Sequence, residues 1–202
     1  MQQAIATFDP TAAFFVAQAS RPRHLEEIDF AGLPPVLRML LVKDGTVTTA
    51  ICAYFLEEVT TCQIDQQVVQ LTDADRWLDL PGGAEVLQRQ VMLQSAVDGR
   101  LFAFAESRLA IERLPASMQS ALAARDSNLG RILRNDRSET LREGLWFGRE
   151  RMGELPEPVA RISDGDFMSR SYRVVTNAAP MMIVTERFPM QSFENQPRVS
   201  RG

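Results

Sequence analysis

The sequence predicts an α+β domain built on a six-stranded antiparallel sheet, and three observations carry that prediction. Runs rich in β-branched and aromatic residues come in pairs, and turn formers such as Asp98-Gly99 separate the members of a pair. Helical signals gather before the sheet and between its second and third pairs. A doubly wound parallel sheet needs strands that alternate with helices, and this order does not supply them.

The elements follow in chain order. Asp9-Pro10 is a capped start for a short helix reaching Gln18. Pro34-Pro35 opens a second helix through Leu41, closed at Lys43-Asp44-Gly45, where glycine can turn left-handed. Val47 to Phe55 and Val59 to Leu71 read as the first strand pair. Thr72 to Trp77 has a capping start and suggests a turn or two of helix. Glu85 to Ser95 and Leu101 to Ile111 form the second pair, around Asp98-Gly99. Pro115 to Gly153 is helical in character, with Ser117 to Leu122 and Asn128 to Leu133 as candidates. Met168 to Thr176 and Pro180 to Phe188 make the last hairpin, before a polar tail from Gln191.

Composition narrows the function. At 202 residues the chain is a single domain, on the usual scale of about 100–200 residues each. A formal charge of −4 provides no bulk basic field for nucleic acid. Lys43 is the one lysine, so arginine supplies nearly all the positive charge, in a form suited to carboxylates and phosphates. Cys52 and Cys62 are too few for a disulfide framework or a four-cysteine zinc site. The single histidine, His24, lies in a polar segment that makes a poor base for a triad. The N-terminus lacks a signal-peptide pattern, and no apolar run approaches the roughly 20 residues that span a bilayer. A cytoplasmic protein with no membrane partner is the expectation.

Strand alternation singles out two charges. Leu87, Arg89, Val91 and Leu93 share one face of their strand, which puts Arg89 inside an apolar stripe. Met182, Val184, Glu186 and Phe188 share a face as well, interrupted by Glu186. A charge buried without a partner costs several kcal/mol. Either Arg89 pairs internally with Glu186 or Glu106, or it awaits an anion in a pocket where Glu186 faces a hydroxyl or ether oxygen. A carboxyl group so placed suits proton donation. Asn128-Leu129-Gly130 is either a plain helix start or a set of amides for a carboxylate. The arginines Arg131, Arg134, Arg137, Arg142, Arg149 and Arg151 alternate with acids and read as a solvated helical surface.

The order of segments resembles the chorismate pyruvate-lyase family, above all its compact bacterial and archaeal branch. The resemblance is carried by Leu33-Pro34-Pro35-Val36-Leu37-Arg38-Met39-Leu40-Leu41 with Asp44-Gly45-Thr46-Val47-Thr48, and by Val86-Leu87-Gln88-Arg89-Gln90-Val91-Met92-Leu93. It continues in Ala105-Glu106-Ser107, Asn128-Leu129-Gly130-Arg131-Ile132-Leu133, Arg170-Ser171-Tyr172-Arg173-Val174 and Ile183-Val184-Thr185-Glu186-Arg187-Phe188. These span residues 33–189. One departure is Met168-Ser169-Arg170-Ser171, where enterobacterial members carry Trp-Gly-Arg-Arg.

The resemblance implies a six-stranded antiparallel sheet with helical flaps over the ligand. It also implies elimination of pyruvate from chorismate, leaving 4-hydroxybenzoate, with no metal or organic cofactor. By position it makes Arg89 the carboxylate-binding arginine and Glu186 the acid beside the product hydroxyl. Backbone amides near Val47 and at Leu129 would hold the same carboxylate. For the second carboxylate of chorismate, Arg170 or Arg173 is the candidate contact, with a surface role for either as the equal alternative. Glu186, protonated, would then assist departure of the enolpyruvate. Two other functions fit the scaffold: an enzyme acting on a related enol ether, and a ligand-sensing module. Sensors of this fold usually follow a winged helix, for which the ~30 residues before the match are too few.

Overall fold

The structure is a computed structural model that describes residues 8–122 and 140–194. Its centre is a six-stranded antiparallel sheet in the order β1-β2-β3-β6-β5-β4. The strands are β1 (Val59–Gln70), β2 (Glu85–Ser95), β3 (Leu101–Ala110), β4 (Leu141–Arg151), β5 (Asp166–Thr176) and β6 (Ala179–Pro189). Two three-stranded meanders therefore meet along the β3–β6 seam, where Ala105 lies opposite Glu186 and Ser107 opposite Val184.

The predicted sheet and its strand number are present, although one predicted strand is a helix and one observed strand comes from another segment. Val47–Phe55 is a helix, α2. Its apolar residues Val47, Ile51 and Phe55 recur every four positions, so one helical face meets the core. Burying that face outweighs the β-branched composition that suggested a strand, because propensity is a weak prior. Leu56, left-handed at φ 57°, closes the helix with its N–H on the Cys52 carbonyl at 2.8 Å. β1 pairs instead with β2, Gln66 lying opposite Arg89.

The second difference is β4, which occupies a stretch predicted as helical. Its glycines, Gly144 and Gly148, look like breakers but mark a close approach of another chain segment. The N-terminal segment crosses there, with bridges from Phe15 to Gly144 and from Glu26 to Arg149. A Cβ on Gly144 would lie 2.7 Å from the Phe14 carbonyl oxygen, and one on Gly148 2.7 Å from that of Glu26. The same crossing replaces the helix predicted over Pro10 to Gln18 with turns and a 3-10 segment, Gln18–Ser20. Asp9 still caps, accepting from the Thr11 amide at 2.8 Å.

Other expectations hold with small changes of boundary. Helix α1 runs Pro35–Leu41 and is followed by Gly45 at φ 102°. Helix α3 is Ala116–Leu122. The β2–β3 turn uses Gly99 at φ 75°, and the β5–β6 turn sets Asn177 and Ala178 at φ 49° and 61°. Thr72 to Trp77 forms turns, with Asp75 accepting from the Trp77 amide at 3.0 Å. Asn128 to Leu133, and with it Leu129, lies outside the described residues.

Helices α1 and α2 cover one face of the sheet, packing Leu37, Leu40, Leu41 and Ile51 against Leu93, Phe102, Met168 and Phe188. Among the described residues no helix is long and apolar enough to cross a membrane. Replacing Gly148 with alanine should cost about 1–3 kcal/mol through the clash with the Glu26 carbonyl. A urea midpoint equal to the parent's would show that the N-terminal crossing is loose at this point.

Candidate active site

The covered face of the sheet contains a cavity of about 70 Å³. Its floor comes from alternate residues of neighbouring strands: Thr61 of β1, Arg89, Val91 and Leu93 of β2, Ala105 and Ser107 of β3, Val184 and Glu186 of β6. Tyr172 of β5 and Arg142 of β4 extend it, and Gly45 to Thr48, at the start of α2, form the roof. The space is smaller than the roughly 300 Å³ at which ligand pockets begin.

Arg89 and Glu186 both line this cavity, as alternation along their strands requires. They are not each other's partner. Glu186, 7% exposed, accepts from Arg170 Nε at 2.8 Å, and Arg170 Nη2 lies 2.8 Å from the same oxygen. The Tyr172 hydroxyl donates to the other oxygen at 3.3 Å. Glu106, the alternative partner for Arg89, points to the opposite face, bound by Arg187 at 2.6 Å and Gln90 at 2.8 Å. Arg89 itself is 3% exposed, and burial pushes its guanidinium pKa below the usual value. Burial first, and then the Glu186 charge, push the Tyr172 phenol well above its ordinary pKa, so it keeps its proton as a donor.

Val47 is placed differently from a strand residue. It is the first residue of α2, after Thr46 in an extended conformation that contributes no side-chain cap. The amides at this end carry the positive end of the helix dipole, and the cavity lies beneath them.

Two expected contacts are reassigned by the geometry. Arg170, 1% exposed, is committed to Glu186 and to the carbonyls of Leu41 and Lys43, both at 2.9 Å. Its place is beneath the carboxylate, with Nη2 buried and making no hydrogen bond of its own among the described residues. Arg173 leaves β5 on the face opposite Arg170 and Tyr172 and pairs with Glu143. The residue that sequence reasoning missed is Arg142, assigned to a solvated helix and found in β4 at the cavity wall. The usable signal was a strand pattern around its glycines.

A larger hollow of about 450 Å³ opens on the other face, beside Trp77 and Trp146. Two of its charges are matched, Arg108 with Asp75 at 2.7 Å and Glu106 with Arg187, while Asp65 and Arg89 line it as well. His24 belongs to that side too, with Nε2 3.6 Å from Glu150. The smaller cavity is therefore the better candidate, because it joins cations, a helix start and a fixed carboxylate.

Comparison with known proteins gives the family. Residues 41–196 match the model of a family described as chorismate pyruvate-lyase, Rv2949c-like. The chain belongs to that family. The chorismate pyruvate-lyase of Mycobacterium leprae is 29% identical over 182 residues, 87% of this chain and 84% of its own. The enzyme of the same name from Mycobacterium tuberculosis is 30% identical over 171 residues, 80% and 83% of the two chains. Among solved structures, the effector domain of PhnF from Mycobacterium smegmatis aligns with a TM-score of 0.55 at 15% identity, over 72% of this chain and 88% of that one. Whole PhnF gives 0.58 at 13%, over 80% and 71%. These two likenesses show that the chain shares the fold of that effector domain.

Removing Arg170 leaves Glu186 buried with one donor fewer, a change worth about 3–5 kcal/mol for a buried pair. Arg170→Met should accordingly unfold at clearly lower urea than the parent. Adding Glu186→Leu to it should restore part of the loss, and two fully additive losses would refute the pairing.

Proposed function

We propose that the protein removes pyruvate from chorismate and leaves 4-hydroxybenzoate. The observation that carries this reading is the meeting of Arg89, the α2 start and a fixed Glu186 in one cavity of a chorismate pyruvate-lyase family member. Arg89 takes the ring carboxylate as a forked, charge-assisted contact, helped by the amides at Val47. In this reading Leu129, outside the described residues, contributes a further amide.

Glu186 has a different part from the acid suggested by its sequence position. Arg170 and Tyr172 both use its oxygens as acceptors. It is suited to accept the hydrogen bond of the ring hydroxyl at C4, which persists in the product. Holding the carboxylate at one end and the hydroxyl at the other fixes the ring.

The chemistry then breaks two bonds. The C3–O bond to the enolpyruvyl group and the C4–H bond are lost, and their electrons complete the aromatic ring. The C4 proton goes to the departing enolpyruvate, which becomes pyruvate. Atoms balance with no redox partner. Aromatisation drives the step, so positioning and exclusion of water are the protein's contribution. The substrate is a dianion that an apolar bilayer excludes, so a cytoplasmic enzyme is the consistent placement.

Incubation with chorismate should release 4-hydroxybenzoate and pyruvate in equal amounts, and a protein that consumes no chorismate would rule the reading out. Arg89→Ala should weaken 4-hydroxybenzoate binding on the order of 10–100-fold, as expected for losing hydrogen bonds to a charged group. Glu186→Gln should lower kcat on the order of 100-fold with little change in KM. Full turnover by either folded variant would mean that its residue is wrongly placed.

A further inference from the structure

The sheet order puts three charged residues on one face, around the cavity. Arg89 is on β2, Glu186 on β6 and Arg142 on β4, with β3 and β5 as the intervening strands. In register Arg89 is level with Val184 and Arg142 with Met182. At about 4.8 Å per strand and about 3.4 Å per residue, Arg89 starts roughly 12 Å and Arg142 roughly 17 Å from Glu186, one on either side. The cavity therefore presents two cations flanking a carboxylate, whereas 4-hydroxybenzoate offers only one acid group.

We propose that Arg142 is the specificity-determining residue for the second carboxylate, the one that leaves with pyruvate. The inference rests on the lyase reading and adds the group that distinguishes substrate from product. Arg142 is less committed than the other arginines of the interior. Its ion pair is with Asp44, 3.7 Å away, whose side chain is 75% exposed. A contact of that length to a solvated carboxylate contributes little. Its Nε is buried and makes no hydrogen bond among the described residues. Arg170, by contrast, is filled by Glu186 and two carbonyls, and Arg187 by Glu106 and Glu150. The guanidinium also lies over the turn before α2, Nη1 being 3.9 Å from where a Cβ on Gly45 would stand. An acid group there would meet a cation and the adjoining helix start together.

Two ligands that cannot react give the test. 3-(Carboxymethoxy)benzoate carries both carboxylates, and 3-methoxybenzoate lacks the second. The parent protein should bind the first about tenfold tighter or more by calorimetry. In Arg142→Ala the preference should vanish, with 3-methoxybenzoate affinity held within about twofold, because one fork is removed and the other kept. The same variant should raise KM and lower kcat for chorismate while leaving inhibition by 4-hydroxybenzoate unchanged. Equal binding of the two ligands by the parent would overturn the inference without any variant, even if Arg142→Ala failed to fold. So would a variant that weakens both ligands alike. Failure of the parent to convert chorismate would count against the lyase reading instead, since ligand preference is measured without turnover.

Discussion

Arg170 joins three parts of the chain at one buried point. It rises from β5, holds Glu186 on β6, and accepts the task of tying the Leu41 and Lys43 carbonyls at the end of α1. Its side chain is 2% exposed and that of Glu186 9%. Burying such a pair is expensive, and the geometry offsets the cost only because nearly every arm finds an acceptor. The consequence reaches beyond the pair. Fixing the end of α1 fixes the Asp44-Gly45-Thr46 turn, and with it the direction in which α2 begins. One cation thus sets the orientation of the carboxylate on the floor and the position of the amides in the roof.

The remaining walls follow from two short-range constraints. Strand alternation sends Arg89, Ser107, Glu186 and Tyr172 to the same side of the sheet and Glu106, Thr185 and Arg187 to the other. On the other face Arg187 draws Glu106 and Glu150 around it. Each face thereby closes its internal pairs independently, and the helix-covered side retains Arg89 and Arg142 at the wall of a cavity. The edge strand that carries Arg142 is itself covered by the N-terminal crossing at Gly144 and Gly148. An exposed edge is thus paired, and the cavity's last wall is held in place from outside.

Much of this was legible in the sequence, and the gaps have physical causes. Arg89 and Glu186 stood out because a charge in an apolar stripe must be accounted for, and period-two alternation exposes it. Their partners were not readable, since Arg170 meets Glu186 through sheet pairing, a long-range property. Val47–Phe55 was misread as a strand because composition favours one, although the Val47, Ile51, Phe55 spacing carried the helical alternative. β4 was hidden by glycines and mixed charges whose reason, the crossing segment, lies more than a hundred residues earlier. The strand number therefore agreed while one strand was added and another missed.

The difference between binding and turnover bears most directly on this cavity. The ring carboxylate and the C4 hydroxyl are present in both chorismate and 4-hydroxybenzoate. Contacts to them from Arg89 and Glu186 orient the ring but are made to substrate and product alike, so they do not tell the two apart. A site built only from those contacts would resemble a receptor for the aromatic acid, a use to which the same scaffold is open because fold does not dictate function. Turnover needs a group whose interaction changes as the C3–O bond breaks. A cation at the far side of Glu186 meets that need: charge gathers on the enolpyruvate as it departs, and the attraction grows along the reaction. Once pyruvate has left, the same cation has nothing to hold, and the product is retained by the shared contacts alone. On this view the position of Arg142 across the sheet from Arg89 separates an enzyme from a sensor.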